Sequence, residues 1–121
     1  FDFHCESDTS YLFLLFSSLS SVNDAAVMQA WGKDQKVGLS MLQLMADPES
    51  ELTRALDMEL SHPGPIGKGL INRCKRHAIY AVDGKIKAIN VAESENDPAG
   101  DEFPEVTLAD AMIEAIRKSK E

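Results

Sequence analysis

Arg76–Val82 reads RHAIYAV and Lys85–Val91 reads KIKAINV, with Asp83-Gly84 between them. Both are apolar runs of strand length, and Asp-Gly tolerates the two positive φ values that a tight hairpin turn demands. The stretch therefore predicts an antiparallel hairpin. Downstream, from Ala92 to Val106, the chain is acidic and turn-rich (Glu93, Glu95, Asp97, Asp101, Glu102, Glu105) and reads as a solvated loop. Thr107 with Asp110 resembles a capping box. Leu108, Ala111, Met112, Ala115 and Ile116 then keep the spacing of one helical face, with Arg117, Lys118 and Lys120 at the end that the helix dipole favours for cations.

Upstream, Glu59–Leu70 (ELSHPGPIGKGL) holds two prolines and three glycines and reads as a loop without helix. Asp47-Pro48 predicts a short helix running to about Met58, with Asp47 as cap, Pro48 in the first turn, and Glu49 and Glu51 on the dipole's positive end. Met41–Met45 alternates apolar and polar residues as a strand does. Asn23 and Asp24 are N-cap residues for a helix over Ala25–Gln35. Tyr11–Phe16 is an apolar run of six residues with strand character. The order β-α-β-α-loop-β-β-α predicts a layered α/β sheet.

The 121 residues carry 12 Lys and Arg against 20 Asp and Glu, a net charge of −8, and 44 % are hydrophobic. A field of that sign disfavours phosphate backbones and anionic lipid, so neither nucleic acid nor membrane is expected as a partner. The composition is that of a globular domain and not of a disordered chain. The apolar run is far shorter than the roughly 20 residues of a membrane helix, and its acidic flank is wrong for a secretory signal. Two cysteines make no disulfide scaffold and point to a reducing compartment, so a cytoplasmic location is expected, with an organelle open.

Several chemistries fail on spacing. Gly67-Lys68-Gly69 lacks the hydroxyl residue of a phosphate loop. The serines at Ser17–Ser21 have no nucleophile-elbow context. His4, Cys5, Cys74 and His77 are zinc-type ligands, but at the start of a strand the odd spacing of Cys74 and His77 sends them to opposite faces, so no metal and no cofactor are expected. Arg73 and Arg76 flank Cys74, where two guanidiniums would favour the thiolate. A solvated basic cluster of Arg73, Lys75 and Arg76 is the simpler alternative.

Ser21-Val22-Asn23-Asp24-Ala25, with Val27 and Trp31 beyond it, resembles the S-V-N-D-x-x-V-x-x-x-W segment of type II peroxiredoxins. Leu44–Pro48 resembles their L-x-A-D-P strand end, and Arg73–Ala78 their R-S-x-R-[FY]-[AS] strand entry. Val82–Val91 resembles their hairpin, and Phe103–Ile116 their closing loop and helix. The resemblance runs from Ser21 to about Ile116. It implies a thioredoxin-like α/β fold of three layers (α/β/α), here N-terminally incomplete, with residues 1–20 an unmatched segment and 21–121 a partial redoxin domain.

The resemblance also implies a thiol-dependent peroxidase. Such an enzyme reduces hydrogen peroxide and alkyl hydroperoxides, with glutaredoxin, glutathione or thioredoxin as electron donor. Arg76 matches the family's catalytic arginine, which holds the thiolate and stabilises charge as the O–O bond breaks; Arg73 is a supporting match. The family's P-x-x-[FY]-[ST]-x-x-C motif has no counterpart. Cys5 lacks its threonine and proline, Cys74 stands where the family has serine, and Leu19 stands where plant members carry a second cysteine. An incomplete gene model and a replaced N-terminus would each explain the abrupt start.

The expectation is a chain inactive by itself. A non-catalytic dimerisation module is the alternative reading, with Asp47, Pro48, Leu52 and the Pro63–Gly69 loop as interface of a homodimer. A thiol switch at Cys74 is a third. Lacking the upstream strand and helix, the sheet is expected to expose an edge and the monomer to be marginally stable.

Overall fold

The computed structural model describes residues 17–120. The strand expected at Tyr11–Phe16, and with it His4 and Cys5, lies outside them. Strand β1 (Ser17–Ser21) leads into helix α1 (Ala25–Asp34), whose N-cap Asp24 accepts a hydrogen bond from Val27 N. A 3-10 turn at Val37–Leu39 precedes β2 (Leu42–Ala46), which pairs in parallel with β1, Leu19 beside Leu44. Helix α1 packs on β2, and Met28 is its buried residue. Sequence patterning located α1 and β2, but Ser17–Ser21 was not expected as a strand.

Helix α2 occupies only Glu51–Ala55, shorter and later than expected. Asp47 does cap it, but from outside the helix: its carboxylate accepts from Leu52 N (3.2 Å), Thr53 N (2.9 Å) and Thr53 Oγ1 (2.8 Å). Pro48 stands in the turn ahead of the helix, because Ser50 takes a left-handed φ of 55° and the helical turns begin only after it. The proline-glycine loop also holds a helix, α3 (Pro63–Gly67). Pro63 falls in its first turn, where the missing N–H is no loss, and the His62 ring accepts from Gly64 N.

β3 (His77–Val82) and β4 (Lys85–Val91) form the expected antiparallel hairpin. Asp83 at φ 50° and Gly84 at φ 73° give the two-residue turn whose twist matches the strands. Tyr80 faces Ala88 while Ala81 faces Ile86, so Lys87 is the extra residue of a bulge. After a 3-10 turn at Pro104–Thr107, helix α4 (Ala109–Lys118) packs on β3 and β4. The capping box does not form: Leu108 is the N-cap, and the Thr107 hydroxyl donates to Pro104 O instead.

Strands therefore pair two by two, β1 with β2 and β3 with β4. The halves are joined by main chain: Leu60 N donates to Arg73 O (2.7 Å) and Lys75 N to Met58 O (2.8 Å). The fully buried Ser50 hydroxyl adds a bond to Asn72 O. Met28, Met58, Leu60 and Ala92 are the buried apolar residues among those described, while Leu39 is 96 % exposed and Phe103 66 %.

Candidate functional site

The residues singled out by sequence converge on one short stretch, Arg73–His77, between the Met58–Leu60 bridge and β3. Cys74 is bridged to Glu59 in an isolated antiparallel contact, and β3 begins only at His77. Cys74 and His77 therefore do not share a strand, and the alternation rule that would separate them does not apply. The thiol and the imidazole meet: Cys74 Sγ lies 3.5 Å from His77 Nδ1 and 3.2 Å from Lys75 O. The hydrogen bond to Cys74 raises the His77 pKa above its usual value, burial opposes it, and the Lys75 carbonyl adds to the rise. The spacing C-x-x-H was visible in the sequence, but the break between bridge and strand was not.

Neither flanking arginine is a hydrogen-bond partner of the thiol. Arg76 turns the other way, and its Nη2 lies 3.5 Å from Asp101 Oδ1, with both side chains well exposed. Arg73 lines a cleft of about 390 Å³ with Asn23, Asp24, Pro48 and Ile71. Lys75 Nζ pairs with Glu93 at 2.9 Å. So the basic cluster is divided, Lys75 and Arg76 toward the acidic loop and Arg73 toward the opposite cleft.

That loop is not simply solvated. Asp97 is buried, accepting from Gly100 N (3.1 Å) and Glu102 N (2.8 Å). The Glu102 bond leads in holding its carboxyl below the usual range, against the effect of burial, and the Arg76 charge contributes. The ordering residue was missed because Asp97 was read as one acid among several; Asp97-Pro98-Ala99-Gly100 was the turn signal. Ala92 N donates to Arg76 O at 2.9 Å, so the root of this loop is bonded to the main chain that carries the arginine.

Of the interface candidates, Asp47 is buried and its carboxylate is engaged within the chain, whereas Pro48 and Leu52 are exposed. Among the described residues no three His, Cys, Asp or Glu side chains gather as a metal site. Among them, too, no helix is long and apolar enough to cross a membrane.

No family model matches the chain. Individual relatives do. Peroxiredoxin-2E-2, chloroplastic, of Oryza sativa subsp. japonica is 42 % identical over 74 residues, covering 60 % of this chain and 32 % of the relative. Peroxiredoxin-2B of Arabidopsis thaliana is 35 % identical over 96 residues, 79 % of this chain and 52 % of the relative. In structure, reduced Prx3 of Vibrio vulnificus in complex with H2O2 superposes with a TM-score of 0.65 at 30 % identity, over 84 % of this chain and 55 % of that one. The chain is a homologue of the peroxiredoxins. This peroxiredoxin homologue has the expected thioredoxin-like α/β fold. It spans about a third to a half of the length of the curated relatives it matches.

Proposed function

We propose that this chain serves thiol-dependent reduction of hydrogen peroxide and alkyl hydroperoxides, with Arg76 as its electrostatic element. The observation that carries the reading is the placement of Arg76. The residue stands at the entry to β3, its backbone bonded to Ala92, its guanidinium exposed, in one long ion pair with Asp101 and within the field of Asp97 among the described residues. A guanidinium so placed can swing onto a thiolate and a peroxide oxygen and stabilise the charge that develops as the O–O bond breaks. Arg73, on the other side of the stretch, is at most an accessory charge.

Neither cysteine fits the P-x-x-[FY]-[ST]-x-x-C pattern of the nucleophile. The 121-residue chain by itself is therefore expected to consume peroxide no faster than free cysteine. The decisive comparison is peroxide turnover, with glutaredoxin, glutathione or thioredoxin as donor, by this chain and by one extended at its N-terminus with a segment carrying that pattern. The extended chain should turn over, and Arg76→Ala should lower its rate on the order of 100- to 1000-fold, the effect of losing one charge-stabilising donor. Equal rates for Arg76→Ala and its parent would overturn the assignment. Relatives named chloroplastic support an organellar location over the cytoplasmic one.

A dimerisation role is favoured by the exposed apolar side chains of Val27 and Ile71, which line one cleft with Pro48, and by the exposed Leu52. Sedimentation showing a monomer at every concentration would count against it.

A further inference from the structure

We infer that Cys74 is a thiol-exchange site of its own, at which His77 assists formation of a mixed disulfide with a low-molecular-weight disulfide such as glutathione disulfide. The inference is independent of the role proposed for Arg76. It rests on three groups that meet at one point. His77 Nδ1 lies 2.9 Å from Lys75 O, an acceptor only, so this nitrogen carries the hydrogen and donates it to that carbonyl, with the sulfur at 3.5 Å placed to share it as a second, longer acceptor. The protonated thiol has the same carbonyl as its acceptor, at 3.2 Å. When the thiol ionises it loses that bond, and the Nδ1–H of His77 is the donor already in place for the thiolate, while Nε2 is left to take or give the proton.

The nucleophile and its proton-bearing partner are thus within reach, with the partner oriented by a third group, as activation of a cysteine requires. Cys74 and His77 are both half-buried, so the pair is not sealed from solvent. The surrounding charges are balanced and do not replace the imidazole. Glu59 lies across the bridge and is drawn toward Arg54, Lys75 is paired with Glu93, Arg76 with Asp101, and Arg73 faces the far cleft.

In the exchange, the Cys74 thiolate attacks one sulfur of the small disulfide. The new S–S bond forms as the old one breaks, Cys74 is oxidised, and the departing thiolate is reduced and takes a proton from His77 or water. A second thiol reverses the step.

The test uses the full chain with Cys5→Ser, so that Cys74 is the single thiol. Formation of the glutathionyl adduct is followed by intact mass at pH 7, in buffer and in denaturing urea. The folded chain should react about tenfold faster than the unfolded one. His77→Phe, which installs an aromatic residue of the kind the peroxiredoxin strand entry carries, should lose that advantage. His77→Asn restores a donor near the Nδ1 position without a titrating ring and should recover most of the rate while flattening its pH dependence near neutrality. Circular dichroism verifies that each variant is folded. Equal rates for folded and unfolded chains, or for His77→Phe and its parent, would overturn the inference. So would an Asn variant no faster than Phe.

Discussion

Gly100→Ala is the substitution for which the structure gives the most definite cost. Gly100 adopts φ +73°, and a Cβ there would fall on the Ala92 carbonyl oxygen and within 2.7 Å of the carbonyl carbon. The left-handed conformation costs an alanine about 1–2 kcal/mol. Relieving the overlap by moving Ala92 adds about 1–3 kcal/mol of overpacking strain. It also endangers the Ala92 N to Arg76 O bond, worth about 0.5–1.5 kcal/mol. The sum is about 2.5–6.5 kcal/mol, and at about 2–8 °C per kcal/mol, the range for domains on either side of this size, the melting temperature should fall by at least about 5 °C. Gly84→Ala is the control, since Gly84 has the same φ of +73° with nothing within 4 Å of its added Cβ. It should cost only the conformational term, about 1–2 kcal/mol. Thermal melts followed by circular dichroism compare the two. If both variants lose the same stability, the close approach to Ala92 contributes nothing and the reasoning fails.

Asp47→Ala removes the acceptor for Leu52 N, Thr53 N and Thr53 Oγ1; urea unfolding should show a loss of about 1–3 kcal/mol, non-additive with Thr53→Val. Additive losses would mean the two residues do not act together. Burial pushes the Asp47 carboxyl up, but the Thr53 and Leu52 hydrogen bonds prevail and leave its pKa lowered, and Asp97 is lowered too. Both stabilise above the unfolded carboxyl pKa of about 4, and that stability is lost as pH falls through their depressed folded values. His77, raised, has the opposite sign: its contribution is complete below about pH 6.5 and fades as pH rises through the folded value. Melting temperature against pH should therefore drop on the acid side, and Asp47→Asn should flatten that drop; an unchanged acid limb would refute the assignment. Leu52→Glu, at an exposed position, should leave the melt within about 0.5 kcal/mol while abolishing any concentration-dependent association seen by sedimentation. Persistent association would move the interface elsewhere.

Elements whose signal is local were legible in the sequence. The Asp83-Gly84 turn, the Asp24 cap and the 3.6-residue periodicity of Leu108–Ile116 are each decided within a few residues, and all three stand as read. What failed was decided either by local backbone geometry that residue type does not reveal or by a pairing distant in the chain. Pro63 and Pro65 look like helix breakers until one sees that they occupy the first turn of a single short helix, capped by His62. Thr107 had the residue type for a cap, but its hydroxyl is turned back to Pro104. Cys74 and His77 were separated by a rule valid within a strand. The bridge to Glu59, which lifts Cys74 off that strand, is a pairing fifteen positions distant in the chain. Arg76 is singled out by a matching motif; composition alone leaves it a solvated charge, and its side chain is exposed beside Asp101.

The way Arg76 is held bears on the role proposed for it. Its pairing with Asp101 is long and exposed, of the kind that contributes about 0–1 kcal/mol. Its main chain, by contrast, is fixed from two directions, by Ala92 through a hydrogen bond and by the His77–Val91 register of the hairpin directly beyond it. The loop that leaves Ala92 is itself folded by Asp97 and by the approach of Gly100 to the Ala92 carbonyl. Position is therefore set by backbone, while the guanidinium is only lightly restrained. Such a division leaves the charge able to exchange Asp101 for an incoming anionic oxygen or sulfur at little cost, without moving the strand that delivers it.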